Sequence, residues 1–265
     1  MGKVLEEARE DERMAAEMDL ASRIQRSQLY STFPAFPERS DFDIYARMRP
    51  AKEVGGDFYD FFLIDDDHLG MVISDVSGKG IPGCMYMMVT KVLIHNTAML
   101  QCTPAEALMR VNDQICENNT EQMFITTWFG ILELSTGQIL AANAGHEYPM
   151  LHGEDGRFQM VKRKHGLVMG ARPGTQYENY MLQLPPGGTL FVYTDGAPEA
   201  TNTAEELFGT DRMLEALNEM PDACPEELLK HMEMRIDEFV GDAPPFDDLT
   251  MMAVKLQKTD KTADA

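Results

Sequence analysis

Short β-rich runs joined by tight turns constrain the fold of this chain more than any other feature of its sequence. Along Phe42–Met48, apolar and polar side chains alternate, which is the period of a strand with one buried face. Ser135–Gly137 separates two β-rich runs and Pro185–Gly188 separates two more, so neighbouring strands are expected often to pair antiparallel. The other predicted strands are Phe58–Leu63, Leu69–Asp75, Phe124–Leu134, Gln138–Ala144, Tyr177–Leu184, Thr189–Thr194 and Leu249–Leu256.

Helical patterns interrupt these strands at only a few places. The clearest is Pro104–Asn118, where Thr103 can cap the helix, Pro104 suits its first position and Glu106 completes a capping box. Two long helices in the middle of many antiparallel strands favour an α+β layered sandwich over a parallel βαβ sheet. The other predicted helices of this part are Ile81–Leu100, Asp211–Glu219 and Pro225–Val240.

The first segment, Val4–Tyr30, is rich in Glu, Arg, Ala and Met and contains no Pro or internal Gly, which predicts a single helix. Pro34 and Pro37 then end the helix and form a linker. The apolar stripe of the helix is modest. Two roles therefore remain open for it: packing on its own domain, or dimerisation and signal transmission.

This pattern divides the chain into an N-terminal helix and linker at 1–40, one main domain at 41–257 and a polar tail at 258–265 that is expected to be disordered. Met1 and Gly2 lead directly into helical sequence without a cap. We therefore hypothesise that the natural protein extends upstream, into a sensor or membrane segment.

The charge and the cysteines exclude several classes of function. The formal net charge of −21 is the opposite of what a nucleic-acid surface needs, so no nucleic-acid partner is expected. The four cysteines form no C-x-x-C pair and no dense framework, which argues against a zinc knuckle or disulfides and fits a reducing cytoplasm. No run is long and apolar enough for a membrane span, so this fragment is expected to make no membrane contact.

Aspartates stand at the ends of predicted strands in the first half of the chain. Gly55 and Gly56 allow a tight bend before Asp57, which opens an apolar strand. The strand that ends at Asp75 continues into a glycine-rich loop before a helix. That loop resembles a phosphate cradle, but it lacks the pattern of a nucleotide P-loop.

Two further aspartate motifs lie in the second half. A β-rich run ends at Asp195, and Asp247 and Asp248 precede the last predicted strand. Each motif alone is also compatible with an ordinary turn. Brought together in one core, however, these carboxylates would repel one another and raise each other's pKa, and a cation would relieve that repulsion.

Carboxylate oxygens suit Mg²⁺ or Mn²⁺, and the lack of His or Cys beside the aspartates argues against zinc or copper. Two such ions about 3.5 to 4 Å apart would hold a water as hydroxide and neutralise a phosphoryl group for in-line displacement. They would also make the mouth of the site locally positive, so that a phosphoprotein could approach an acidic chain.

The aspartate motifs and an Asn-Ala-Gly-His motif follow one another at Val54–Asp60, Ser74–Gly80, Asn143–His146, Tyr193–Ala197 and Asp247–Thr250. In order and spacing they resemble the PPM metal-dependent serine/threonine protein phosphatases, and most of all the bacterial branch of RsbU-like sporulation and stress-response regulators. The resemblance covers about Asp41–Leu256. It implies an αββα sandwich, in which two facing antiparallel sheets are covered by helices and two divalent cations, Mn²⁺ or Mg²⁺, sit at one end.

The resemblance also implies roles for individual residues. Asp75 would bridge both metals, Asp57 and the backbone carbonyl of Val76 would serve one of them, and Asp195 and Asp247 would serve the other. If the register differs by one residue, Asp248 would replace Asp247.

Relatives in this branch dephosphorylate Ser or Thr of small STAS-domain anti-sigma-factor antagonists, so the resemblance implies a similar phosphoprotein partner. In the same branch the helix before the catalytic domain often dimerises and, with the Gly80–Leu100 region, sets metal affinity and activity. The leading hypothesis is therefore an active phosphatase. The alternatives are a pseudophosphatase and a module that has little activity until a partner or sensor completes the metal site.

One departure concerns the proton donor to the leaving group. Many eukaryotic relatives carry a His two positions after the bridging aspartate, where this chain has Ser77, so the donor remains unassigned. His146 is expected to have a structural hydrogen-bonding role, and Lys52 is left out of the site as an exposed loop residue.

Overall fold

The computed structural model describes residues 2–258, and the predicted tail beyond residue 258 lies outside the described residues. The helices are α1 (Gly2–Gln28), α2 (Ile81–Ala98), α3 (Pro104–Glu117), α4 (Gly209–Glu219) and α5 (Pro225–Val240). The strands are β1 (Phe42–Arg49), β2 (Phe58–Leu63), β3 (His68–Val76), β4 (Ile125–Glu133), β5 (Gln138–Ala144), β6 (Met150–His152), β7 (Phe158–Met160), β8 (Tyr180–Gln183), β9 (Thr189–Tyr193) and β10 (Leu249–Leu256).

These strands form two antiparallel five-stranded sheets. One has the order β1-β10-β9-β6-β7 and the other the order β2-β3-β4-β5-β8. Helices α2 and α3 pack on the second sheet, and α4 and α5 pack on the first. The predicted α+β sandwich of two antiparallel sheets flanked by helices, with an N-terminal helix, is therefore confirmed.

Apolar side chains form two cores that match these layers. The larger one lies between the two sheets and under α2 and α3, and it includes Phe58, Trp128 and Phe129, each fully buried. The smaller one lies under α4 and α5 and includes Phe191 and Phe208. Because burial of apolar surface is the main favourable term in folding, these cores fix how the strand ends are placed in space.

The predicted helix ends are close to the observed ones. The capping box of α3 is present: the Thr103 side chain accepts from the Glu106 N–H at 3.3 Å, and the Thr103 N–H donates to the Glu106 carboxylate at 2.9 Å. Helix α1 ends at Gln28, two residues before the predicted end at Tyr30.

Two short strands were not predicted from the sequence. Strands β6 and β7 have three residues each and form the edge of the first sheet beyond β9. Three residues are too few for an alternating pattern to rise above that of a loop. Strand β8 is also shorter than predicted, since it covers only Tyr180–Gln183.

Helix α1 contacts the sandwich through its C-terminal end. Gln25 and Leu29 are buried there, and the ring of Tyr30, just beyond the helix, stacks on Phe61 at 4.6 Å. Earlier in the helix, Met14 and Leu20 remain at least half exposed. Of the two roles left open for α1, packing on its own domain therefore explains the burial of its last turns but not the exposed apolar residues earlier in the helix. None of the helices described for residues 2–258 is both long and apolar enough to cross a membrane.

Candidate active site

The predicted aspartates lie at neighbouring strand ends. Asp57 immediately precedes β2, Asp75 is the next-to-last residue of β3, and the two strands pair so that Phe58 faces Ser74. In the other sheet, Asp195 follows β9 and Asp247 precedes β10, and these strands pair so that Tyr193 faces Met251. The facing sheets therefore bring all four to one end of the sandwich.

Asp57 ties the two sheets together. Its carboxylate accepts a hydrogen bond of 2.7 Å from the hydroxyl of Thr194, which follows β9 in the other sheet. Asp57 is buried, and burial together with the charges of Asp75 and Asp248 holds its pKa well above its usual range.

Asp75 and Asp195 share this environment. Burial raises the pKa of Asp75 to about 6, with a contribution in the same direction from Asp247 and Asp248 and an opposing one from Lys79. Burial also raises the pKa of Asp195 to about 7, and Asp75 and Asp247 add to the effect. The charge of Asp75 thus raises the pKa of both Asp57 and Asp195, as is expected of carboxylates that lie close together.

Asp247 and Asp248, which the sequence left as alternatives, have different environments. Asp248 is buried, and its two carboxylate oxygens accept hydrogen bonds of 2.8 Å from the backbone N–H groups of Ala51 and Gly56. It therefore holds the loop that leads to Asp57. Asp247 is partly exposed and faces Lys79, with its Oδ2 atom 2.9 Å from the ammonium nitrogen.

Glycines allow the loops of the site to approach one another. A Cβ atom on Gly56 would lie 2.6 Å from the backbone carbonyl oxygen of Val76, so only glycine permits this contact. A Cβ atom on Gly196 would overlap the backbone carbonyl of Asp248. The Val76 carbonyl is thus adjacent to the Asp57 loop, as the sequence motif implies.

The chemistry of this donor set fits a hard divalent cation, because several carboxylates with raised pKa values lie beside one another and a backbone carbonyl lies close by. Within residues 2–258, however, no group of three or more His, Cys, Asp or Glu side chains is arranged to hold a metal ion as it stands. The side chains are near one another, but Asp57 and Asp247 are turned to other partners.

His146 and Ser77 have structural contacts. Asn143 accepts from the His146 N–H at 2.7 Å, and the His146 ring lies 2.8 Å from the Thr126 hydroxyl. Burial lowers the pKa of His146 to about 3, so its ring is neutral at physiological pH. The hydroxyl of Ser77 accepts from the Phe124 N–H at 2.8 Å, which fixes the loop after β3 to the start of β4.

Helix α1 reaches the site through one side chain. The Gln25 amide donates to the Gly55 carbonyl at 2.7 Å and accepts from the Gly55 N–H at 3.1 Å. Gln25 is 2% exposed, so this pair of hydrogen bonds is shielded from water. It couples the position of α1 to the loop before Asp57.

Sequence reasoning missed Gln25, Thr194 and Lys79. Gln25 interrupts the heptad pattern of α1, and the sequence alone gives no sign of its partner, although a buried polar side chain normally has one. Lys79 lies within the glycine-rich loop that was singled out, but the loop sequence alone gives no sign that its ammonium turns towards Asp247.

Among solved structures, the SiaA-PP2C domain of Pseudomonas aeruginosa has a similar fold, with a TM-score of 0.82 and 21% identity over 93% of this chain and 98% of that one. The fold and the family profile together place this chain in the PP2C (PPM) class of domains, as the resemblance of the motifs implied. The chain belongs to the Stage II sporulation protein E (SpoIIE) family, whose sequence profile matches residues 65–257.

Two curated proteins are also similar in sequence. Protein IcfG of Synechocystis sp. is 30% identical over 254 residues, which cover 83% of this chain and 39% of IcfG. The phosphoserine phosphatase RsbU of Bacillus subtilis is 29% identical over 185 residues, which cover 69% of this chain and 54% of RsbU. The chain thus spans about half or less of the length of these relatives.

Proposed function

We propose that this domain hydrolyses phosphoserine or phosphothreonine on a partner protein with two divalent cations, Mn²⁺ or Mg²⁺. Asp75 would contribute to both cations, Asp57 and the Val76 carbonyl to one, and Asp195 and Asp247 to the other. When bound, the cations would activate water and neutralise the phosphoryl group. This proposal is supported chiefly by one observation: four separate strand ends bring carboxylates to one end of the sandwich, where their charges raise the pKa values of Asp57, Asp75 and Asp195.

The remaining residues of the site position these groups. Thr194 orients Asp57 across the two sheets, and Asp248 holds the loop in which Asp57 lies. Burial of Asp57 excludes water from one side of the site, which strengthens electrostatic interactions there. Rigid placement of the ligands by strands is what a precise hydrolytic site requires.

As the partner we propose a small phosphorylated STAS-domain anti-sigma-factor antagonist. The support is the resemblance to the RsbU-like branch and the sequence similarity to RsbU, which is itself a phosphoserine phosphatase. To test this partner, the chain is incubated with Mn²⁺ and a phosphorylated STAS protein, and the rate of phosphate release is measured. Equal rates on an unrelated phosphoprotein would contradict it.

Substitution of Asp75 tests the proposed activity. We expect Asp75→Asn to reduce Mn²⁺-dependent release of phosphate from a phosphoserine peptide by at least about a hundredfold, because a ligand proposed to be shared by both ions is lost. Asp222→Asn, at an exposed aspartate away from the site, is the matched control and should retain wild-type turnover. Unchanged turnover in Asp75→Asn would refute the ligand assignment.

A second candidate function is a module with little activity until a partner repositions α1. The observation that favours it is that no three acidic side chains among the described residues are arranged as metal ligands, while α1 contacts the Asp57 loop through Gln25. Measurement of turnover in the full chain alone and with its upstream or partner component separates the two. High activity of the chain alone would exclude the second candidate.

A further inference from the structure

Lys79 lies at the rim of the aspartate cluster. Its ammonium nitrogen is 2.9 Å from Oδ2 of Asp247, donates to the Phe246 carbonyl at 2.6 Å, and lies 4.5 Å from the centre of the Phe246 ring. Its positive charge opposes the rise in the pKa of Asp75.

Both oxygens of Asp247 are engaged in this arrangement. Oδ1 accepts from the backbone N–H of Asp248 at 2.9 Å, and Oδ2 pairs with Lys79. Each carboxylate oxygen has two lone pairs, so these contacts alone do not exclude a metal ion. A divalent cation bound at Oδ2 would, however, lie close to the Lys79 ammonium, and the two positive charges would repel each other.

The backbone around Lys79 supports this placement. Gly78 and Gly80 on either side have φ angles of 91° and 79°, a region that favours glycine, and they let the loop turn back over residues 246–247. Helix α2 begins at Ile81, two residues after Lys79. The position of the ammonium is thus linked directly to the start of that helix.

We propose that Lys79 is a built-in competitor of the divalent cation at Asp247. In the metal-free chain its ammonium neutralises part of the carboxylate cluster, and metal binding displaces it. This inference rests on the proposed metal-dependent function and adds a residue that sets metal affinity. It also gives a physical reason why the ligands are close together but not arranged around a common point.

The test measures Mn²⁺ binding to the full chain by titration calorimetry, without any substrate. The variant is Lys79→Met, which keeps the aliphatic stem and removes the charge. Its matched control is Lys52→Met, an exposed lysine beside Ala51 in the loop held by Asp248. We expect Lys79→Met to bind Mn²⁺ about two- to fivefold more tightly than the control, the range of a partly exposed ion pair.

Thermal unfolding gives a second readout that a merely structural lysine would not reproduce. In EDTA, Lys79→Met should unfold at a lower temperature than Lys52→Met, because the carboxylates lose their cation. In saturating Mn²⁺ that deficit should disappear or reverse. If Lys79→Met does not fold in EDTA, Lys79→Gln takes its place in both measurements.

Equal or weaker Mn²⁺ binding by the Lys79 variant overturns the inference while leaving the proposed function intact. Absence of Mn²⁺ binding by the wild-type chain and by both variants overturns the proposed function, and the inference with it. In an Asp247→Asn background, removal of Lys79 should no longer change the affinity relative to the Lys52 control. A gain that persists there would contradict competition at Asp247.

Discussion

At the residue scale, adjacent aspartates with the same chemistry have separate tasks. Asp248 is buried and binds two backbone N–H groups, whereas Asp247 is partly exposed and paired with Lys79. The sequence identified both as candidates but could not separate them, because their partners lie about 170 to 200 positions away. A separation of 137 positions likewise concealed the hydrogen bond from Thr194 to Asp57.

Substitution at these two positions should therefore have opposite consequences. Asp248→Asn replaces an oxygen acceptor by an amide donor that faces N–H groups, which should lower the free energy of unfolding by about 1–3 kcal/mol. Asp247→Asn should leave stability nearly unchanged and weaken Mn²⁺ binding. Urea unfolding and Mn²⁺ titration of both variants check the division, and a reversed pattern would show that Asp248 is the ligand.

The raised pKa values of Asp75 and Asp195 predict how stability depends on pH. A carboxyl whose pKa is higher in the folded than in the unfolded chain binds more protons when folded, so stability falls as pH rises from about 4 through 6 for Asp75 and 7 for Asp195. We therefore expect the metal-free chain to unfold at a temperature several degrees lower at pH 8 than at pH 5.5.

Calorimetric scans in EDTA measure this pH effect. Carboxyls with lowered pKa values, such as those of Asp41 and Glu219, act below about pH 4 and do not contribute in this window. His146, whose pKa burial lowers to about 3, opposes the effect, because its unfolded form takes up a proton below about pH 6.5, and it makes the net decline smaller. In Asp195→Asn the decline should become smaller. A metal-free chain that is equally stable at both pH values would contradict the raised pKa values of Asp75 and Asp195.

At the scale of elements, most helices and strands could be predicted because each carries its own local signal. The capping box of α3 and the β-rich runs before Asp75 and Asp195 are examples. Strands β6 and β7 carry no such signal, since each exists only by pairing with a neighbour in the first sheet. The packing of α1 was also open, because it is decided by contacts of Gln25 and Tyr30 with residues 30 and 31 positions further on.

Gln25 provides a test of the coupling between α1 and the site. Gln25→Ala leaves the N–H and carbonyl of Gly55 without their partner, so the loop before Asp57 should become less ordered. We expect several-fold weaker Mn²⁺ binding and slower turnover. Gln28→Ala, at an exposed position of the same helix, is the control. Wild-type Mn²⁺ affinity in Gln25→Ala would show that α1 does not act through this contact.

At the scale of the whole molecule, the order of the strands could not be derived from local patterns. The first strand pairs with the last along its full length, and the two sheets face each other only because distant segments share one core. The sandwich was accessible from the sequence through the resemblance of the aspartate motifs to a known family. Local propensity alone would have left many arrangements of the same strands open.

The net charge of −21 also acts on the whole molecule. It should slow the approach of acidic phosphopeptides at low ionic strength, since salt screens such repulsion over roughly 10 Å. We expect KM for a peptide with acidic flanks to fall several-fold between about 20 and 200 mM NaCl, with little change in kcat. For p-nitrophenyl phosphate the change in KM should be small. A KM that rises with salt would instead indicate an attractive docking surface.

The pairing of β1 with β10 also determines how the domain responds to mechanical load. Phe42 faces Leu256, and the Gln257 N–H donates to the Asp41 carbonyl at 2.8 Å. The chain therefore enters β1 and leaves β10 at the same end of the sheet. Tension applied between Asp41 and Gln257 breaks the hydrogen bonds between β1 and β10 one pair after another from that end, rather than all of them at once. Tension applied at these two points therefore peels β1 away before it disturbs the carboxylates at the far end of the strand.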